Sequence, residues 1–306
     1  MSDRVQETLK LEDGLVDRVK ELPLLARLVV DGYFHGLHRS HRRGSSPVFV
    51  AHRPYMPGDP ARLVDWRVWA RTNQFFIREY EQETNLNGYL FLDTSKSMSY
   101  GVSGQNKIAY GRILAGALAM LLSDQNDAPA VGLLGRNRNS EVFLPPSSRG
   151  DHLHSVFQVL AEAEADGLSQ DLGAYEDLLS ECRGRALTVL ITDGYFPVQQ
   201  GRELMTELRE RGHEVLFFHL LHRDEMEPRF DGDILFVDSE TGEEMETDGA
   251  SMRQRYQENL NQFLKATEDL CFEMEAAYCR IVTDEGLETA LSTFLTHRAS
   301  MAQGGF

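Results

Sequence analysis

The spacing of apolar and polar positions changes rhythm twice along this chain. From about residue 5 to 36, Leu9, Leu15, Val16, Val19, Leu22, Leu25, Leu28 and Val29 recur at intervals of three and four, which predicts amphipathic helix. Pro23 is expected to divide that stretch into two helices, because its ring removes a donor and crowds the preceding turn. The periodicity then disappears among Arg, Trp and turn markers, notably 43–46 (RGSS) and 57–60 (PGDP). From about Leu86 short apolar runs alternate with helical stretches. Strands are expected at 88–93, 128–135, 140–146, 186–194, 213–221 and 277–282, with the third at a sheet edge because prolines stop it. Helices are expected at 107–123, 151–163, 171–182, 199–211, 253–275 and 285–298. Strands that are apolar throughout, alternating with helices, predict an α/β fold: a mostly parallel sheet covered on both faces.

Composition adds exclusions. With 42% hydrophobic and 26% charged residues, the 306-residue chain is neither disordered nor a coiled coil. Its 31 Lys and Arg against 48 Asp and Glu give a net charge of −17, a surface that repels nucleic acid and anionic membrane. No run approaches the length of a membrane span, and the polar N-terminus lacks a secretory apolar core, so a cytoplasmic location is expected. Cys182, Cys271 and Cys279 show no metal-ligand spacing, and no disulfide is expected. The charge is uneven. Residues 36–78 hold eight Arg and two Asp, whereas 222–250 holds eleven acids and two Arg in what reads as a solvated insert with a hairpin turning at 240–242.

In open parallel sheets, ligands bind beyond the carboxyl ends of the strands. Two predicted strands end in acid-bearing loops: LFLDTSKSMS, with Asp93, Ser95 and Ser97 at alternate positions, and VLITDG, with Asp193 between Thr192 and Gly194. Alternate residues of an extended loop project to one side, so a carboxylate and two hydroxyls converge there, and Asp193 approaches from a neighbouring strand. Such hard oxygen donors suit Mg²⁺ or Mn²⁺ with positions left for water and one outside oxygen. The bland alternative is a turn that caps the following helix.

This pattern resembles the von Willebrand factor A domain and its metal-ion-dependent adhesion site, from about Leu86 to the C-terminus. The resemblance implies that Ser95 and Ser97 bind the metal directly, with Asp93 and Asp193 holding it directly or through water. The family also uses a Thr from a G-G-T-D-L loop. Here that segment reads 166–172 (DGLSQDL), which puts Gln170, or Ser169 just before it, at the Thr position.

In the Arg-rich segment, Asp59 and Asp65 stand among Arg53, Arg62, Arg67 and Arg71, which favours carboxylate–guanidinium pairs fixing a small polar core. Trp66 and Trp69, three apart, fall on one helical face as anchors. The motifs H-R, R-x-G-S-S, H-R-P-Y-x-P-G-D and R-x-x-D-W-R-x-x-A-R-T closely resemble the signature of the domain of unknown function 58 family. That resemblance implies work beside a MoxR-type AAA+ ATPase and a client protein, as an adaptor in assembly or maturation.

The chain is expected to divide into residues 1–84, holding the N-terminal helices and the signature segment, and 85–306, the von Willebrand factor A-like domain with its acidic insert. The expected function is non-enzymatic, metal-dependent interaction. The alternative is a Mg²⁺- or Mn²⁺-dependent hydrolase on the same site, against which no general base stands beside Asp93 or Asp193 in sequence, the nearest candidate being Tyr195. An Arg-mediated nucleic-acid surface and a His35, His38, His41 metal clip are weaker readings of the same residues.

Overall fold

Asp93 owes its position to a six-stranded sheet. The structure, a computed structural model, describes residues 22–36, 49–56, 64–80, 86–101, 106–135, 142–166, 179, 181–182, 184–228, 233–237 and 244–303. The sheet comprises β3 (Asn87–Asp93), β4 (Ala128–Leu134), β5 (Phe143–Leu144), β6 (Ala186–Thr192), β7 (His213–Leu221) and β10 (Ala277–Val282). Its order is β10-β7-β6-β3-β4-β5, parallel throughout except for the β4–β5 edge pair. This is the expected α/β architecture, a mostly parallel sheet with helices on both faces. Successive strands run outward from β3 on one side and then restart at β6 on the other, so the order reverses between β3 and β6. That reversal opens a crevice at their carboxyl ends.

Both faces of the sheet are covered. One buried cluster joins Leu90, Leu92, Val189 and Ile191 to α3 (Lys107–Asp124) and to α8 (Glu288–Gln303). The other joins Tyr89, Phe91, Leu190 and Phe217 to α5 (Val198–Glu210) and α7 (Gly249–Glu273). Continuous apolar strands are what a sheet with two buried faces requires. Helix α3 is buried from Lys107 to Leu122, an almost entirely apolar segment started by Asn106, whose side chain accepts from Ala109 N at 3.1 Å.

Helix α1 (Leu22–Gly36) packs against α3 through Leu22, Leu25, Ala26, Val29 and Val30. Pro23 sits in its first turn, where a missing N–H costs nothing, so it starts the helix. Leu28, assigned by spacing to the apolar face, is exposed. Gly116 leaves room for the Phe157 ring, which a Cβ there would approach to 3.0 Å, while its contact with Ala26 of α1 at 3.6 Å would be an ordinary one. The chain accordingly separates into residues 1–39 with 86–306, and residues 40–85. The expected boundary near residue 84 grouped this helix with the signature segment. Its apolar stripe packs on the α/β core.

The smaller unit pairs β1 (Phe49–Pro54) with β2 (Phe76–Tyr80) as an antiparallel ribbon, with α2 (Trp66–Thr72) between them in sequence. Asp65 is buried and caps α2, accepting from Arg67 N at 2.9 Å and Val68 N at 3.3 Å. Trp66 and Trp69 do share a face, their rings 6.2 Å apart, but both are exposed, as are Arg67 and Arg71, so the tryptophans are not interior anchors. Asp59, Arg62 and the side chain of Arg53 lie outside the described residues.

Beyond β7, the short helix α6 (Arg223–Met226) leads to an antiparallel hairpin of β8 (Asp233–Val237) and β9 (Glu244–Asp248), as the sequence predicted, with its turn outside the described residues. The three cysteines are free and buried. No helix of the described residues is long and apolar enough to cross a membrane.

Placing a charge at fully buried Ala26 tests the packing of α1. Ala26→Asp should lower stability by about 3 kcal/mol or more, because an unpaired carboxylate is then buried. Urea denaturation measures the loss.

Candidate metal centre

The register of β3 against β6 pairs Leu92 with Ile191, which sets Asp93 and Thr192 side by side at the strand ends. Thr192 Oγ1 donates to Asp93 Oδ2 at 2.6 Å and itself accepts from Gly194 N at 2.9 Å. Gly194 adopts a φ of +73°, a left-handed turn that glycine enters without steric cost. Asp93 Oδ1 accepts from Ser95 N at 2.8 Å, folding the loop back over the strand end. The hydroxyls of Ser95 and Ser97 then stand 3.0 Å apart, Ser95 buried and Ser97 half-buried. A 3₁₀ turn from Lys96 to Ser99 follows, with Met98 plugged into the core.

Asp193 is completely buried. Its Oδ2 lies 2.7 Å from Lys107 Nζ, and its Oδ1 accepts a long bond from Tyr195 N at 3.4 Å. The same ammonium donates to Glu225 Oε1 at 2.7 Å. Glu225 Oε2 accepts from His222 N at 2.7 Å, closing the first turn of α6. Lys107 is fully buried, its ammonium 5.9 Å from the centre of the Tyr100 ring and 5.4 Å from that of Tyr195. Tyr195 in turn stacks on Phe263 of α7 at 4.9 Å.

The electrostatics follow from burial. Desolvation and the negative charge of Asp193 push the Asp93 carboxyl up to about 6, although bonds from Thr192 and Ser95 favour its ionised form. For Lys107, burial favours the neutral amine, but Asp193 and Glu225 outweigh it and hold the ammonium above its ordinary value. Burial lowers His219 to about 4. Its Nε2 sits 2.9 Å from the Asp193 carbonyl, an acceptor only, so that nitrogen donates, and Nδ1 meets the Tyr278 hydroxyl at 2.9 Å.

Sequence reasoning found no His beside the two aspartates. Adjacency across the sheet brings His219 there from β7, but both of its nitrogens are engaged and the ring is fully buried, which makes it a strut beneath the loop. Asp93, Ser95 and Ser97 are joined through one bonded loop, while the Asp193 side chain, close enough to raise the Asp93 carboxyl, turns to Lys107. Gln170 and Ser169 lie outside the described residues, as do His38, His41 and the side chain of His35. Lys107 and Glu225 were missed. The first is visible only as the one charge opening an apolar helix, and the second was absorbed into the acidic insert as a solvated residue, whereas it is buried.

The donor set fits a small hard cation. Among the described residues no three His, Cys, Asp or Glu side chains gather in a metal-ligating arrangement, so hydroxyls must contribute. Ser95 and Ser97 supply a converging pair of hydroxyls beside the Asp93 carboxylate.

Residues 51–264 match the family described as "Protein of unknown function DUF58". This chain belongs to that family. An uncharacterized protein of Mycobacterium tuberculosis, Rv1480, is 28% identical over 232 residues, covering 74% of this chain and 72% of its own. The uncharacterized Bacillus subtilis protein YeaD is 27% identical over 131 residues, 40% of this chain and 30% of its own. Among solved structures, an aerotolerance-related membrane protein from Bacteroides fragilis aligns over 69% of this chain and 99% of its own, with 16% identity and a TM-score of 0.45. In this DUF58 chain, the match takes in the signature segment from the H-R-P-Y motif at 52–55 onward and the two acid-bearing loops.

Thr192→Val removes the donor to Asp93 and the acceptor for Gly194 N at once. It should cost about 1–3 kcal/mol of stability and move the Asp93 carboxyl above about 6. Chemical denaturation and carboxyl-carbon NMR titration read the two effects separately.

Proposed function

We propose that this DUF58 protein is a non-enzymatic, metal-dependent interaction or adaptor protein. Mg²⁺ or Mn²⁺ would be held by the Ser95 and Ser97 hydroxyls, with Asp93 and Asp193 behind them and a Gln170 or Ser169 oxygen as a further donor. The observation that carries the reading is the pair of hydroxyls 3.0 Å apart at the strand-order reversal, directly in front of a buried carboxylate that lacks a full counter-charge. A bound divalent ion supplies an electrophile for an outside oxygen. The protein's own residues do the rest. Asp93 orients the loop through Ser95 N, and Thr192 locks Asp93 to the neighbouring strand. Asp193 is kept in place by Lys107.

Binding is favoured over hydrolysis by the protonic chemistry around the site. His219 is buried and doubly bonded, and burial pushes the Tyr195 hydroxyl well above its ordinary range. Neither is poised to accept a proton from water. The ligand that suits the site is a carboxylate of a protein partner. The partner the family resemblance implies is a MoxR-type AAA+ ATPase or its client, inside the cell.

Asp93→Ala is expected to abolish Mg²⁺-dependent capture of that ATPase while leaving the cooperative thermal transition in place; capture by the wild-type chain that persists in chelator would refute the reading. Protons and the cation compete for Asp93. Because its carboxyl titrates near about 6, Mg²⁺ affinity should fall as pH drops through that value, and isothermal titration between pH 7.5 and 5 would show it.

A further inference from the structure

The ammonium of Lys107 is a fixed monovalent cation inside an acidic site. It is fully buried, bonded to Asp193 Oδ2 and Glu225 Oε1 at 2.7 Å each, and roofed by the rings of Tyr100 and Tyr195. Glu225 reaches it from α6, at the start of the acidic insert, and is itself anchored by its bond from His222 N. Lys107 holds Asp193, but the other donors are placed without it. Asp93 is oriented by Ser95 N and Thr192, and Ser95 and Ser97 by the turn of the loop.

We infer that Lys107 is a specificity-determining residue that weakens the site's hold on the metal and strengthens the hold of the loaded metal on an anionic ligand. The inference rests on the metal-binding reading above and concerns charge. With Asp93, Asp193 and Glu225 ionised, Lys107 brings the cluster from three negative charges to two. A divalent cation then leaves it neutral, so an incoming carboxylate meets no net repulsion. Without Lys107 the same cation would be held by one more negative charge, and the loaded site would stay anionic and repel the carboxylate. One unit charge bonded to a donor carboxylate is worth about tenfold or more in affinity in either direction.

A merely structural lysine would behave differently. Losing it would misplace Asp193 and weaken the metal and the ligand together. The full-length chain should therefore be titrated with Mn²⁺, read by water-proton relaxation, and the loaded protein titrated with acetate as the carboxylate probe. Lys107→Met should bind Mn²⁺ about tenfold or more tightly than wild type and acetate correspondingly more weakly. Glu225→Gln keeps Lys107 in place, retains an acceptor for its ammonium and removes one negative charge, so it should shift both affinities the opposite way. That variant decides the question if methionine at position 107 does not fold. Wild-type Mn²⁺ binding that Lys107→Met weakens, or an acetate affinity that moves in step with the metal's in either variant, would overturn the inference and leave the metal reading standing. A wild-type chain that binds no Mn²⁺ would overturn both.

Discussion

Two carboxylates buried side by side at the end of a sheet closed on both faces impose the constraint around which this molecule is arranged. Asp93 and Asp193 have almost no solvent exposure, and an ionised carboxylate loses its hydration there. Every neighbouring feature supplies part of the compensation. Thr192 and Ser95 N donate to Asp93, Lys107 pairs with Asp193, and the left-handed Gly194 turns the chain so that its N–H completes Thr192. The compensation is incomplete at Asp93, whose carboxyl stays raised.

The apolar core gives that arrangement its rigidity. Lys107 opens a helix buried along nearly its whole length, clamped by the sheet on one side and by α1 and α8 elsewhere, so its ammonium is delivered to a fixed point. Interiors packed to crystal-like density do not let such a group wander. On the far side, α6 carries Glu225 inward and Arg223 outward. The Arg223 guanidinium grips Asp284 through two bonds of 2.8 and 3.0 Å, tying α6 to the loop after β10. The acidic insert therefore begins from a pinned helix that shares a residue with the site.

The smaller unit follows a different logic. Its aromatic residues Trp66, Trp69 and Phe75 meet one another at 5.9–6.3 Å and remain exposed, and its ordering comes from a capped helix beside a two-stranded ribbon. Strong local signals in the signature segment correspond to local structure, of which the Asp65 cap is the clearest case.

What the sequence determined by itself is whatever depends on neighbours along the chain. Continuous apolar runs predict a sheet buried on both faces, alternate spacing predicts that Asp93, Ser95 and Ser97 converge, and an acid after each of two strands predicts their meeting at the sheet's carboxyl edge. Side-chain direction along a strand follows from that local pattern, but the loop itself is held by the bond from Ser95 N to Asp93 and by a 3₁₀ turn that contains Ser97. The tertiary structure alone decided the charge balance of the site and the allegiance of α1. Lys107 meets Asp193 across 86 residues and Glu225 across 118, and His219 reaches the Asp193 carbonyl across 26. No periodicity records such distances. A buried ion pair is specified by where two helices and a strand come to rest, and a lysine or glutamate reads the same in a sequence whether water or a carboxylate receives it.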